Sequence, residues 1–509
     1  MIGITIVIPL LFGCLILLLK DESGKPSLKS RNGWLAVAGT FSTLVPAVLI
    51  LKRFAGSYGG PQLREAWWTA SGTGVNLTFA LDGLSLPLFI STAFLFFIAA
   101  LFSVSAIAKQ AEAGITFKQP KIFWGMLLLL ESLVLAIFSA WNFITFFAFW
   151  ELFLVPLVVL LWRYGLEERR KAALQFFIYT FASSAFMIAA FAAVIYYTPR
   201  IGGDFDLKSS FASEIQMMGT EKQRILFLFF MAAFLVKMPV FPLHAWLPLT
   251  HTQAPLGTLL LSGLFLKLGS YGVLRFVTPG FQGVLVDWGF GFLVLGVISM
   301  FYGAFAAYRQ KSFRYVIAYS SLAHMGLLLT GALTKNDYAT AGAIIQNVGH
   351  SLANALLFVV VCLHLVRGKS DLVSEINPPK SFVYWAAFSI ALFSAIGVPG
   401  TIGFVGEFLM LFGLSFRSWP LTIAATLTLV LSAAYMLRLF HKVRARQADV
   451  TWRPNWIERT CMVLLSAAIL WFGIQPNTTA SYARETAKTI NSGVNSLPSI
   501  PQTGAGAHR

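Results

Sequence analysis

The chain has 509 residues, 57% of them hydrophobic and 12% charged, with a net charge of +17 and a mean hydropathy of +0.73. A soluble globular chain carries about 25% charged residues, so the composition excludes that class and indicates a polytopic membrane protein. The positive charge does not indicate nucleic-acid binding, because the basic residues sit in short loops between apolar runs, where they set topology.

A membrane-spanning helix needs about 20 apolar residues. About fourteen such runs follow along the chain: 2–19, 33–51, 79–106, 122–139, 141–162, 172–198, 225–244, 252–274, 285–307, 313–333, 338–366, 382–414, 421–440 and 457–474. The first has no basic segment before it and no small-residue cleavage site, so it reads as a retained span and not a signal peptide. Polar stretches fall at 52–78, 199–224 and 367–381, and the Ser/Thr/Pro/Gly-rich tail 475–509 is expected to be mobile at its end. None of these separates two soluble domains, so 1–509 reads as one membrane domain. Lysine and arginine are about twice as frequent in loops opposite the N-terminus as on its side, which predicts both termini outside the cytoplasm.

Ionisable residues interrupt these runs. Glu131 lies in the fourth and Glu151 in the fifth. Lys237 ends the apolar part of the seventh, Lys267 sits in the eighth among Ser262, Gly263, Gly269 and Ser270, and Glu407 lies in the twelfth. A charge at the bilayer centre costs roughly 2.5–3.5 kcal/mol even on the mild insertion scale, and such residues mark ion or proton paths. Burial disfavours the charged form of a lysine, which makes Lys237 a candidate proton carrier. The competing reading is a lysine snorkelling to the interface. For Glu151 it is a static buried pair. His244, His251, His324 and His350 also lie in or beside apolar runs and are candidate relay members. Asp82 and Asp287 lie near span starts, where an acid is explained by the helix N-terminus.

Two runs are broken. In MAAFLVKMPVFPLHAWLP (231–248), Pro239, Pro242 and Pro248 follow Lys237. In ALFSAIGVPGTIGFVGEFLM (391–410), Gly397, Pro399, Gly400, Gly403 and Gly406 precede Glu407. Proline removes a helix hydrogen bond, and the freed backbone groups cannot face lipid. Two broken, charge-bearing segments five runs apart predict inverted-topology repeats around a midplane site.

Cys14, Cys362 and Cys461 are scattered, so no iron–sulfur cluster or covalent haem is expected in this chain. No histidine pair has H-E-x-x-H spacing, and neither a GxGxxG nor a Walker motif follows a strand pattern. No metal or cofactor site is therefore expected, and redox chemistry would belong to partner chains.

FWELFLVP (149–156), FLVKMPVFPLHAWLP (234–248), LFLKLGSYGVLRF (264–276), YSSLAHMGLLLTG (319–331) and GVPGTIGFVGEF (397–408) resemble the antiporter-like subunits of respiratory complex I. The resemblance covers nearly the whole chain, and glutamate at 407 favours the M (chain 4) type, since L and N types usually have lysine there. It implies an all-α fold of fourteen helices, with inverted five-helix repeats and broken helices seven and twelve. It implies proton translocation driven by quinone reduction elsewhere, in a bacterial cell membrane. Flavin, iron–sulfur clusters and quinone would be held by partner subunits, and L-type, N-type and small membrane subunits would be neighbours. Residue by residue, it makes Glu151 and Lys237 a pair on the inlet half-channel and Lys267 the central relay. His324 and His350 would lead on to Glu407 on the outlet side. A D-type subunit of a multi-subunit Na⁺/H⁺ antiporter, or a membrane subunit of a hydrogenase or CO₂-uptake complex, is the alternative. Two departures stand out. Leu249 and Gln253 occupy positions where the family commonly has acids. The stretch APLGTLLLSG (254–263) is also one residue short before Lys267, which would rotate helix eight by about 100° unless a bulge absorbs it.

Overall fold

The computed structural model describes residues 1–21, 28–54, 61–69, 76–112, 118–197, 209–259, 261–367, 370–446 and 452–493; the end of the polar tail, 494–509, lies outside them. In lipid a backbone must satisfy its own hydrogen bonds, and a helix does so within one segment. The apolar runs accordingly form α1 (Ile2–Leu18), α2 (Arg31–Arg53), α3 (Ser85–Glu112), α4 (Pro120–Ser139), α5 (Phe143–Leu152), α6 (Leu154–Tyr164) and α7 (Arg169–Tyr197). After α8 (Ser209–Met217) come α9 (Thr220–Lys237) and α10 (Trp246–Gln253), then a segmented stretch of α11 (Leu256–Leu259), α12 (Ser262–Phe265) and α13 (Lys267–Gly272). A π-helical turn, Val273–Val277, leads into α14 (Thr278–Gly280) and α15 (Gln282–Asp287). The second half holds α16 (Gly289–Arg309), α17 (Phe313–Leu333), α18 (Asp337–Leu365), α19 (Phe382–Ala395), α20 (Ile402–Ser415), α21 (Trp419–Arg444), α22 (Trp456–Ile474) and α23 (Asn477–Ser492).

Among the described residues, ten helical segments are long and apolar enough to cross a membrane, α5 and α6 together making one of them. The other crossings are the 17-residue α1 and three composite ones: α9 with α10, the stretch 256–277, and α19 with α20. α17 and α18 are the most enclosed, with 94% of their apolar windows buried, and they form the bundle axis. Glycines let neighbours approach it closely: a Cβ on Gly326 of α17 would run into the backbone of Gly296 and Met300 on α16.

The fold is all-α in class, with one small addition: in the polar stretch 52–78 and the first residues of the third run, β1 (Gln62–Thr69) and β2 (Asn76–Leu81) form an antiparallel pair. The third helix therefore starts at Ser85 and not at 79. Part of the polar tail is the helix α23, which packs on α18 and α14. The hairpin caps α1: the Glu65 carboxylate contacts the Met1 amino group and accepts from the Ile2 and Gly3 amides, each at 2.9 Å. A carboxylate there satisfies amides left open at a helix start.

Side-chain ties show that the basic loops share one end of the bundle. Tyr164 donates to the Gln119 carbonyl (2.7 Å), and Gln253 accepts from the amides of Leu166 and Glu168 (both 2.9 Å). Arg314 contacts the Thr252 carbonyl, and its Nε donates to Asp371 (2.8 Å). Burial pushes the Asp371 carboxyl up, but the Arg314 hydrogen bond and charge and the Ser312 hydroxyl outweigh it and hold the acid below its ordinary range. Gln253, one of the two departures from the family pattern, thus ties α10 to the 166–168 turn.

At the other end Asp82 caps α3, accepting from the Leu84 (3.2 Å) and Ser85 (2.9 Å) amides. It also forms a two-point ion pair with Arg275, at 2.5 and 2.8 Å. Removing one partner of a buried pair costs about 3–5 kcal/mol. Asp82→Ala should therefore lower the melting temperature in detergent more than the Asp82→Ala/Arg275→Leu double variant does. Equal melting of the two would mean that the pair is energetically idle.

Candidate functional site: a buried polar axis

Lys237 closes α9 where the Pro239 and Pro242 break begins, and it is buried, with 3% of its surface exposed. Its ammonium lies 3.8 Å from the Trp150 ring centre and donates to the Trp150 carbonyl at 3.4 Å. A desolvated cation on a tryptophan face gains about 2 kcal/mol. Glu151 is the next residue, yet no direct ion pair joins it to Lys237, and its Oε1 is buried without a hydrogen-bond partner. The two interact through space, so the expected contact pair is open in this structure: Trp150, and not Glu151, seats the lysine.

Lys267 begins α13 and is fully buried. Its Nζ lies 3.1 Å from His350 Nδ1 and 3.8 Å from the Met325 sulfur. The helical pieces α11 and α12 precede it and the π-helical turn follows it, and Lys267 faces the axis. The His350 and His324 rings are 5.1 Å apart. His324 Nε2 then meets Glu407 Oε1 at 3.2 Å, and the Gln346 amide donates to the same oxygen at 3.3 Å. Gly397, at φ +66°, leaves room for the other carboxylate oxygen, which a Cβ there would strike. Gly400, at φ +90°, lets the chain turn between α19 and α20, a backbone shape that suits glycine.

Hydrogen-bond geometry assigns protons along this run. His324 Nδ1 is 2.8 Å from the Ser320 carbonyl, which only accepts, so Nδ1 carries a hydrogen. A neutral ring then has a bare Nε2, and its contact with a carboxylate oxygen requires one proton between them, on the ring or on the acid. The Lys267–His350 contact likewise needs one proton between two nitrogens. Lys267, His350, His324 and Glu407 therefore form a buried run in which the Lys267–His350 and His324–Glu407 contacts each hold a transferable proton, while the two imidazoles between them meet only as rings, 5.1 Å apart.

A cavity of about 40 Å³ lies against Lys237; His251, Thr180, Thr250 and Ser262 also line it. It has room for water and the polar partners water needs. Ser262 Oγ accepts from the Asn354 amide at 3.2 Å, and Asn354 borders a second chamber of about 10 Å³ containing His324 and His350. His244 stands apart, its ring packed on Tyr302 (4.8 Å) and Phe241 (5.7 Å). Glu131 is fully buried, and neither carboxylate oxygen has a hydrogen-bond partner; it does not touch the axis. Sequence reasoning missed Gln346, Asn347 and Asn354. Their signal was present: with His350 and Ser351 they form a polar stripe at helical spacing in an otherwise apolar run. Asn347 accepts from Ser270 at 2.5 Å, which ties α18 to α13. Among the described residues no group of three or more His, Cys, Asp or Glu could hold a metal ion.

Residues 140–432 match the family described as NADH:quinone oxidoreductase/Mrp antiporter, TM. The NADH-quinone oxidoreductase subunit M of Rickettsia bellii is 31% identical over 484 residues, which cover 94% of this chain and 95% of that protein. A chain of respiratory complex I from Thermus thermophilus with bound NADH superposes with a TM-score of 0.83 at 26% identity, covering 96% of this chain and 100% of that one. A chain of the Mrp complex from Dietzia shares the fold, with a TM-score of 0.79 at 18% identity, covering 96% of this chain and 52% of its own length.

If His324 and Glu407 share a proton, their replacement by leucine should be non-additive. A double-mutant cycle followed by thermal melting should give a coupling of at least about 1 kcal/mol, whereas independent sites add within about 0.3–0.5 kcal/mol. Additivity would show that the contact carries no shared charge.

Proposed function

Since the chain belongs to the NADH:quinone oxidoreductase/Mrp antiporter transmembrane family, we propose that it is the M-type, proton-translocating membrane subunit of a bacterial NADH:quinone oxidoreductase. The observation that carries this reading is the buried run of Lys267, His350, His324 and Glu407, two hydrogen-bonded contacts with an imidazole pair between them, and beside it a cavity at Lys237 whose Ser262 bonds Asn354 next to the run. In this reading Glu151 and Lys237 open and close as a pair. With the lysine seated on Trp150 the pair is open, and the lysine can give its proton toward the cavity shared with His251 and Ser262. Return of the charged lysine to Glu151 closes the pair. Buried pairs of this kind titrate jointly, so opening one can be coupled to proton movement. The cost of burying the charges is met only while partners or water are close.

Flavin, iron–sulfur clusters and quinone would sit in partner subunits, and quinone reduction there would drive the pair. L-type, N-type and small membrane subunits would flank this chain in the cell membrane, with both termini on the non-cytoplasmic side. The single membrane domain 1–509 would comprise inverted repeats at 122–274 and 285–440, matching the breaks after Lys237 and before Glu407. The Mrp-type reading rests on shared fold at 18% identity, whereas the subunit M relatives match along nearly the whole chain.

Lys237→Ala should abolish the pumping coupled to this subunit while the complex still assembles. Proton uptake by inverted membrane vesicles reads it, and normal pumping by a verified assembled variant would sink the proposal. Exchanging Glu151 and Lys237 separates a pump from a passive scaffold: a scaffold keeps function, a pump loses it. Affinity purification through this chain tests the assembly. Recovery of flavin and iron–sulfur subunits supports the redox-driven pump, and recovery of small membrane subunits alone supports the cation antiporter.

A further inference from the structure

The basic end of the bundle contains a vestibule of about 670 Å³ between the ends of α16 and α21, the start of α17 and residues 372–374. Lys311, Arg438, Lys442 and Arg446 line it, and no acid is among its described lining residues. Arg438 is fixed to one wall, donating to the Tyr308 carbonyl at 3.2 Å and stacking on that ring at 4.5 Å. The opening is held apart by the anchored segment after α18, where Phe313 N donates to the Asp371 carbonyl and Val373 N to the Lys311 carbonyl, both at 2.9 Å.

Tyr435 forms part of the vestibule wall and is 2% exposed. Its hydroxyl donates to Ser320 Oγ at 2.9 Å, with Ser432 Oγ 3.3 Å away. Ser320 also borders the chamber that holds His324 and His350. Two hydroxyls in series therefore separate a large, cation-lined vestibule from the buried axis. A hydroxyl can accept one proton while giving up another.

We infer that Tyr435 and Ser320 form a second proton-access path, from the basic face of the bundle to the His324–Glu407 end of the axis. A proton from vestibule water is taken by the Tyr435 oxygen as that hydroxyl passes its own hydrogen to Ser320. Ser320 passes its hydrogen to water in the chamber it shares with His324, His350 and Gln346, since His324 Nδ1 already carries a hydrogen toward the Ser320 carbonyl. Each hydroxyl ends with the hydrogen count it began with, and one proton has crossed. The alternative is that Tyr435 only fills space below a cleft of topology-setting cations. The inference rests on the proton-translocating reading above and adds to it a direct link from the second half of the chain to the basic face.

The test uses the assembled complex in inverted membrane vesicles, with protons pumped per electron pair as readout. Tyr435→Phe and Ser320→Ala should each bring the ratio at least halfway to the Lys237→Ala level, while Ser320→Thr, which keeps the hydroxyl, should retain it. A ratio unchanged in assembled Tyr435→Phe would overturn the path. Full activity of Lys237→Ala would instead overturn the underlying reading, so the two failures are separable. Independently, a cysteine at Ala445, an exposed residue of the vestibule wall, should react with a membrane-impermeant methanethiosulfonate sulfonate from the basic face and not from the other. A cysteine that reacts only after denaturation in SDS would show that the vestibule is not aqueous, and the inference would fail.

Discussion

Everything in this structure depends on one constraint: a backbone group freed inside a membrane must find a partner within the protein. The break after Lys237 shows how it is met. The Trp246 indole donates to the Val236 carbonyl at 2.8 Å, Phe241 N donates to the Ser299 hydroxyl at 3.2 Å, and Val240 N reaches back to the Leu235 carbonyl at 3.3 Å. The break before Glu407 is closed in a similar way, by Val398 N on the Phe393 carbonyl at 2.9 Å and the Thr401 hydroxyl on the Val398 carbonyl at 2.7 Å. Such closures need surrounding helices, so breaks are drawn inside the bundle. Ionisable residues next to the breaks are drawn in with them.

The two halves use that interior differently. In the first, Lys237 rests on an aromatic face with its acid neighbour unpaired. It is held by the Trp150 ring and carbonyl and not by a carboxylate. In the second, Glu407 is gripped by His324 and Gln346 through one oxygen, and a glycine makes room for the other. That geometry fixes the carboxylate in place. Lys267 and His350 lie between, within hydrogen-bond reach of one another. A lysine seated on an aromatic face at one end and a firmly held carboxylate at the other are the geometry on which the proposed relay rests.

Much of this was legible in the residues. The crossing segments, the two breaks and the buried ionisable groups follow from hydropathy, proline and glycine, because each reports a local cost that lipid imposes. The hairpin was not legible. Its strands cover a polar stretch and the edge of an apolar run, and their pairing with one another and with α1 is a long-range choice. Helix eight misled in a different way. The expectation of a rotated lysine in a helix one residue short assumes a regular helix. Here the chain folds in short pieces, and the lysine keeps its place against His350.

The sequence by itself determined that the chain spans a membrane many times, that two spans break, and that lysines, acids and histidines are carried inside. Those properties depend on the solvation of each segment taken alone. The tertiary structure decided the partners: Lys237 on Trp150 instead of Glu151, Asp82 on Arg275, His324 on Glu407, and Tyr435 between a vestibule and Ser320. Partners are set by which faces of distant helices meet and at what depth. That depends on the packing of the whole bundle, which local patterning does not encode.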